Sequence, residues 1–198
     1  RRFFAKAPRP LLLERDVDAL AAMVTGAYDF LLASRPELVN VEVKNPEEEG
    51  WSAPVTLLRA QVGDRPFIVD TIREYLAAEE LTIASFVYPV LRVERSAEGE
   101  VVELGAPTGG ELEVLVHCEI ERVDDAARRA EIAREVERRL GDVVRATSDY
   151  GAMQAALERA VAWLRQHPEQ LAESAQEHEE GIRFLEWLRQ GSFVFLGY

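Results

Sequence analysis

Apolar positions along this chain change period several times, and each change marks an element. From Asp16 to Ser34 they recur at helical spacing: Val17, Leu20, Met23, Val24, Ala27, Phe30 and Leu31. Asp16 is placed to cap that helix, and Arg35-Pro36 ends it, because the residue before proline avoids the helical region. Val39, Val41 and Val43 then alternate with Asn40, Glu42 and Lys44, which predicts a half-buried strand. Asn45 to Gly50 reads as an acidic turn.

The next hundred residues repeat one unit twice. Val55–Val62 is a strand with Leu58, Ala60 and Val62 on one face. Gly63-Asp64-Arg65-Pro66 turns the chain into a helix, Phe67–Glu80, with Ile68, Ile72, Tyr75 and Leu76 on one side. Leu81–Arg95 is a long apolar strand, and Ser96–Gly110 is a connection with room for a short strand at Val101–Leu104. Leu112, Val114, Val116, Cys118 and Ile120 then alternate with Glu113, Leu115, His117, Glu119 and Glu121. Asp124 caps a helix reaching Leu140, with Ala127, Ile132, Val136 and Leu140 inward; Gly141 stops it, and Val143–Thr147 closes the unit as a strand.

The order strand-helix-strand-strand-helix-strand predicts an α+β fold, a ferredoxin-like βαββαβ antiparallel sheet flanked by N-terminal and C-terminal helices. Two helices cover only one face of such a sheet. The strand at 81–95 is apolar on both faces, with Ile83 and Val87 on one and Phe86 and Tyr88 on the other. A strand of that kind is buried on both sides. Ile83, Phe86 and Tyr88 are therefore expected at an interface, with the N-terminal helix or with another chain. Beyond Tyr150 the pattern is helical, at Met153–Gln166, Pro168–His178 and Glu179–Arg189, with Gly191 as a stop. Ser192 to Tyr198 reads as the start of a buried strand, so a longer polypeptide is expected. The expected organisation is 1–50 (helix and strand), 51–150 (the ferredoxin-like domain) and 151–198 (a helical lead into further structure).

Charge narrows the partners. The chain of 198 residues is 47% hydrophobic and carries a net charge of -13. Such a surface repels nucleic-acid phosphates and anionic membranes. No apolar run approaches the roughly 20 residues that span a bilayer. Arg1–Pro10 lacks the apolar stretch of a secretion signal. Cys118 is the single cysteine, which fits a reducing cytoplasm. Lys6 and Lys44 are the only lysines; with the many alanines this suggests a high-GC bacterial source.

Catalytic signatures are missing from the sequence. No phosphate-cradling loop follows a strand, so a dinucleotide has no recognisable site. His117 and Cys118 are neighbours on a strand and point to opposite faces, which argues against a shared metal. Cys118 lies on the apolar side and behaves as a small hydrophobe. Glu47-Glu48-Glu49 reads as a solvated acidic face, and Arg92 is placed to pair with a glutamate of the neighbouring strand. One candidate site stands out. The turn Gly63, Asp64, Arg65, Pro66, Phe67 and Ile68 offers helix-start N–H groups to an anion such as an amino-acid carboxylate.

Asp64-Arg65-Pro66, set between a first strand and a first helix, resembles the ligand-binding turn of ACT domains. A wider set of segments resembles the large NAD-dependent glutamate dehydrogenases of bacteria. These are Asn45-Pro46, Gly50-Trp51-Ser52, the run Arg65 to Ile72, the run Tyr88 to Val93, Phe184 to Leu188 and Phe193 to Tyr198. The resemblance implies an N-terminal ACT-like region of a cytoplasmic enzyme that oxidatively deaminates L-glutamate to 2-oxoglutarate with NAD. In that family the catalytic domain lies far downstream, so it implies no catalytic residue and no cofactor in this stretch. Implied partners are the other domains of the same polypeptide, further copies in a homo-oligomer, and an amino-acid effector. Phe67 departs from the ligand-binding ACT pattern, which has a glycine after the turn proline. A bulky side chain there is expected to fill the pocket, favouring assembly over sensing. An independent small enzyme is the third class, and no motif speaks for it.

Overall fold

The computed structural model describes residues 3–4, 7–35, 39–105, 108–167 and 175–192. It divides into two compact units, Arg1–Gly141 and Asp142–Tyr198. The first contains α1 (Arg9–Glu14), α2 (Val17–Ala33), β1 (Asn40–Lys44), a 3-10 turn (Pro46–Glu49), β2 (Val55–Gly63) and α3 (Ile68–Ala78). Then come β3 (Ile83–Val87), β4 (Val90–Arg95), β5 (Val101–Leu104), β6 (Glu111–Glu121) and α4 (Ala126–Thr147), whose last turns fall in the second unit.

The architecture is α+β around one antiparallel sheet, as the ferredoxin-like reading expects. Strand order is β1-β2-β6-β4-β5, with β3 also paired to β6. β6 is long enough to take β2 along one side and both β3 and β4 on the other, β3 opposite 117–120 and β4 opposite 111–114. The single strand expected at 81–95 is thus broken at Tyr88-Pro89, where proline has no N–H for a ladder. A bulge between Ile83 and Ser85 inserts one residue. Opposite residues of a ladder share a face, so Ile83 (opposite Ile120) lies with Phe86 (opposite Cys118), not with Val87 as the simple alternation predicts.

The expected closing strand at Val143–Thr147 is helical. α4 runs through Gly141, because one interior glycine costs only about 1 kcal/mol and neighbouring residues outweigh it. The place beside β2 is taken by β1, antiparallel, with Val41 opposite Ala60 and Val43 opposite Leu58. The N-terminal strand is thus part of the same sheet. Asp125, not Asp124, receives the helix-start N–H, from Ala127 at 2.9 Å; Ala127 itself is exposed.

The first face follows the pattern read from the sequence. Leu58, Ala60, Val62, Val114, Val116, Cys118 and Ile120 are buried, as are Ile72, Tyr75 and Leu76 of α3 and Ile132, Val136 and Leu140 of α4. The second face is covered by α2. Met23 packs with Leu11 and Val87, and Ala27 and Leu31 with Leu115. Asp16 caps α2 through Ala19 N, 2.7 Å away.

The second unit contains the end of α4, then α5 (Tyr150–Gln166), α6 (Ala175–Trp187) and a π-helical turn (Leu188–Ser192). Arg165–Glu186 (2.5 Å) and Arg189–Glu158 (2.9 Å) link these helices. α6 passes through His178-Glu179 without the expected break. The remainder of the Pro168–His178 reading lies outside the described residues, as does the strand read at Ser192 to Tyr198 apart from Ser192, which ends the π-helical turn. Among the described residues no helix is long and apolar enough to cross a membrane.

Candidate functional site

The turn after β2 has the shape its sequence suggests. Gly63 ends the strand, Asp64 N donates to Leu112 O at 2.8 Å, and Arg65 Nε folds back onto Gly63 O at 3.2 Å. Asp64 and Pro66 are exposed and Ile68 is buried. Phe67 is the N-cap of α3 with φ 71°, a left-handed conformation that favours glycine, and its carbonyl accepts from Thr71 N. No side chain caps this helix start. Phe67 is 37% exposed. The ladder aligns Val62, Val114 and Val90, and sets Leu112 opposite Arg92. Val90 and Leu112 are exposed there, so an apolar rim adjoins the turn. These residues do not fit a dinucleotide: the turn has one glycine, and Phe67 stands where a pyrophosphate needs close backbone approach.

Of the predicted interface residues, Ile83 and Phe86 share the face of Cys118 and Ile120, and Tyr88 stands beside Phe86. Phe86 is buried with the Arg73 guanidinium 4.8 Å from its ring centre. Ile83 is half-buried, and Tyr88 is half-buried with its ring 5.9 Å from that of Phe86. Val87, on the opposite face, meets the N-terminal segment.

The second face holds a layer that the sequence reading did not find. Arg59 is fully buried in the middle of β2. Its Nη1 donates to Glu42 at 2.7 Å and also meets Glu49, its Nη2 donates to Glu49 at 2.8 Å, and its Nε donates to His117 Nδ1 at 3.1 Å. Lys44 pairs with both glutamates. Glu49, expected on a solvated face, is therefore an inward group. Burial alone would raise its pKa; the bonds from Arg59 and Lys44 outweigh that and hold it at about 2. Burial, then the Arg59 charge, pushes His117 down to about 3, so its ring is neutral. Because Nδ1 accepts from Arg59, the ring proton sits on Nε2.

Beside this cluster, Glu113 accepts from Gln61 (2.5 Å) and pairs with Arg95 (2.7 Å). Glu119 Oε2 accepts from Arg15 and Ser85, each at 2.9 Å. Arg92, expected to pair with a glutamate, instead donates to the carbonyls of Gly109 and Gly110. His117 Nε2 and Glu119 Oε1 are buried without a hydrogen-bond partner. Cys118 lies on the other face from His117, and burial pushes its thiol up, away from nucleophilic character. No three metal-binding side chains converge among the described residues. The layer fixes shape and charge; the Ser85 hydroxyl that meets Glu119 is buried in it. Its sequence signal was a second polar alternation, Arg59 and Gln61 on one strand against Glu113, His117 and Glu119 on the next.

A family described as the glutamate dehydrogenase ACT1 domain matches residues 1–136. The chain is 31% identical over 202 aligned residues to the NAD-specific glutamate dehydrogenase of Halomonas elongata, covering 99% of this chain. It is 30% identical over 204 to that of Pseudomonas aeruginosa, covering 100%. It spans 12% of the length of each of those relatives.

Proposed function

We propose, from the premise that this chain belongs to the glutamate dehydrogenase ACT1-domain family, that it is a non-catalytic assembly domain of a large cytoplasmic NAD-dependent glutamate dehydrogenase. The parent enzyme oxidatively deaminates L-glutamate to 2-oxoglutarate, releasing ammonium and reducing NAD bound elsewhere in the polypeptide. The partners of this domain are other domains of that polypeptide and further copies of itself; the acidic surface speaks against nucleic acid and anionic membranes. The observation that carries assembly is the apolar rim of Val90 and Leu112 around a turn that also exposes Phe67. Such a rim suits burial against protein better than it suits a zwitterion.

A second reading, an amino-acid sensor at Gly63 to Ile68, draws on the helix start that no side chain caps. Sedimentation and calorimetry of the purified chain separate the two. Assembly predicts self-association that Leu112→Glu weakens at least tenfold, and no heat with common amino acids in the parent or in Phe67→Gly. Micromolar amino-acid binding by the parent, with a monomer at every concentration, overturns assembly in favour of sensing.

A further inference from the structure

The N-terminal segment closes over the second sheet face at a place where, among the described residues, that face is chemically incomplete. Phe3 lies edge-on to His117, with ring centres 5.8 Å apart. Arg15 reaches Glu119 at 2.9 Å, and Leu11 packs with Met23 and Val87. Beneath this cover, His117 Nε2, a donor, and Glu119 Oε1, an acceptor, have neither protein partner nor solvent access. They belong to residues two apart on one strand face. Each such orphan carries a desolvation cost that hydration removes as soon as the cover lifts. The closed state is therefore opposed from within.

We propose that Phe3, Phe4 and the segment Ala7 to Arg15 form a displaceable cover that protonation of His117 releases. Closed, the imidazole accepts from Arg59 at Nδ1 and must stay neutral. A proton on Nδ1 would set an N–H against the Arg59 N–H and a positive charge beside the guanidinium, with no way out under Phe3. Among the described residues the charged groups acting on His117 are Arg59 from β2, Glu49 from the 3-10 turn and Arg15 from the α1–α2 connection. Glu119 follows on β6 itself, and Glu42 and Lys44 of β1 act through Arg59 and Glu49. Glu49 favours the imidazolium, but burial and the Arg59 charge outweigh it. An uncovered imidazole titrates near 6.5 and the covered one at about 3. A group whose covered pKa is depressed stabilises the closed state fully above 6.5 and loses that contribution as pH falls toward 3.

The test places two thiols in one molecule. Leu11→Cys lies on the buried side of the cover, and native Cys118, fully buried on the opposite face, reports global unfolding. Labelling by a dipyridyl disulfide, corrected for thiolate fraction, should quicken at Leu11→Cys by about tenfold per pH unit below roughly 6.5, with Cys118 unlabelled. Adding His117→Gln should abolish that rise, and Glu119→Gln should leave it. Labelling that is flat with pH, a rise that survives His117→Gln, a rise lost in Glu119→Gln, or joint labelling of Cys118 would each overturn the proposal. Should Leu11→Cys not fold, Trp51 emission in a Trp163→Phe, Trp187→Phe background reads the same event. The Arg15 guanidinium stands 5.6 Å from the Trp51 ring centre, and leaves it when the cover lifts.

Discussion

Along β6, Val114, Val116, Cys118 and Ile120 face α3 and α4, whereas Glu113, Leu115, His117 and Glu119 face α2. Val116 and His117 are both fully buried, yet they are held in place by different physics. The first face gains from removing apolar surface from water, an undirected contribution that tolerates small repacking. The second depends on Arg59 meeting Glu42, Glu49 and His117 at hydrogen-bond distance, and each member is stable only while its partner is present. Glu113 and Glu119 repeat the contrast within one face: Gln61 and Arg95 occupy both oxygens of Glu113, while one oxygen of Glu119 is left without a partner. An apolar face can be complete without being specific. A polar one is either satisfied or poised to open.

The largest expected effect comes from Arg59→Ala, which leaves the imidazole without its donor and two carboxylates sharing Lys44. It should cost about 3–5 kcal/mol in urea denaturation. The matched deletion on the other face, Leu58→Ala, should cost about 2–5 kcal/mol. What separates the faces is rescue. Arg59→Met with Glu49→Leu should end within about 1–2 kcal/mol of the parent, because removing both charges removes the need for pairing. If that double variant is no better than Arg59→Ala, the second face is held by shape and the contrast fails.

Gly26→Ala should come next, at about 1–3 kcal/mol despite alanine's higher helix propensity. A Cβ at Gly26 would come within 2.6 Å of the Glu49 carboxyl carbon, and Arg59 and Lys44 hold that carboxylate where it is. The same substitution in an Arg59→Met, Glu49→Leu background should cost less; equal costs would place the strain elsewhere. The smallest effect isolates the backbone at the start of α3. Phe67→Ala and Phe67→Gly both lose the ring, but only alanine keeps a side chain in the left-handed region. Thermal unfolding should find the alanine variant less stable by about 1 kcal/mol.

The sequence by itself determined the first face. Period-two alternation in 112–120 and 58–62, and helical spacing in 68–76 and 132–140, fix which side chains meet, because burial of apolar surface follows local periodicity. Asp16 as a cap and the turn at 63–67 were legible for the same reason: both rest on contacts within a few residues. Tertiary structure alone decided the rest. Val143–Thr147 is as apolar as a strand but continues α4, since β1 already occupies the edge beside β2. Ile83 changes face through a bulge that no local pattern announces. Glu49 reads as one of three solvated acids until Arg59, ten residues on and in another element, gives it a buried partner. Charge pairing across a sheet is decided by which strands become neighbours, and that information is carried by the fold rather than by any window of sequence.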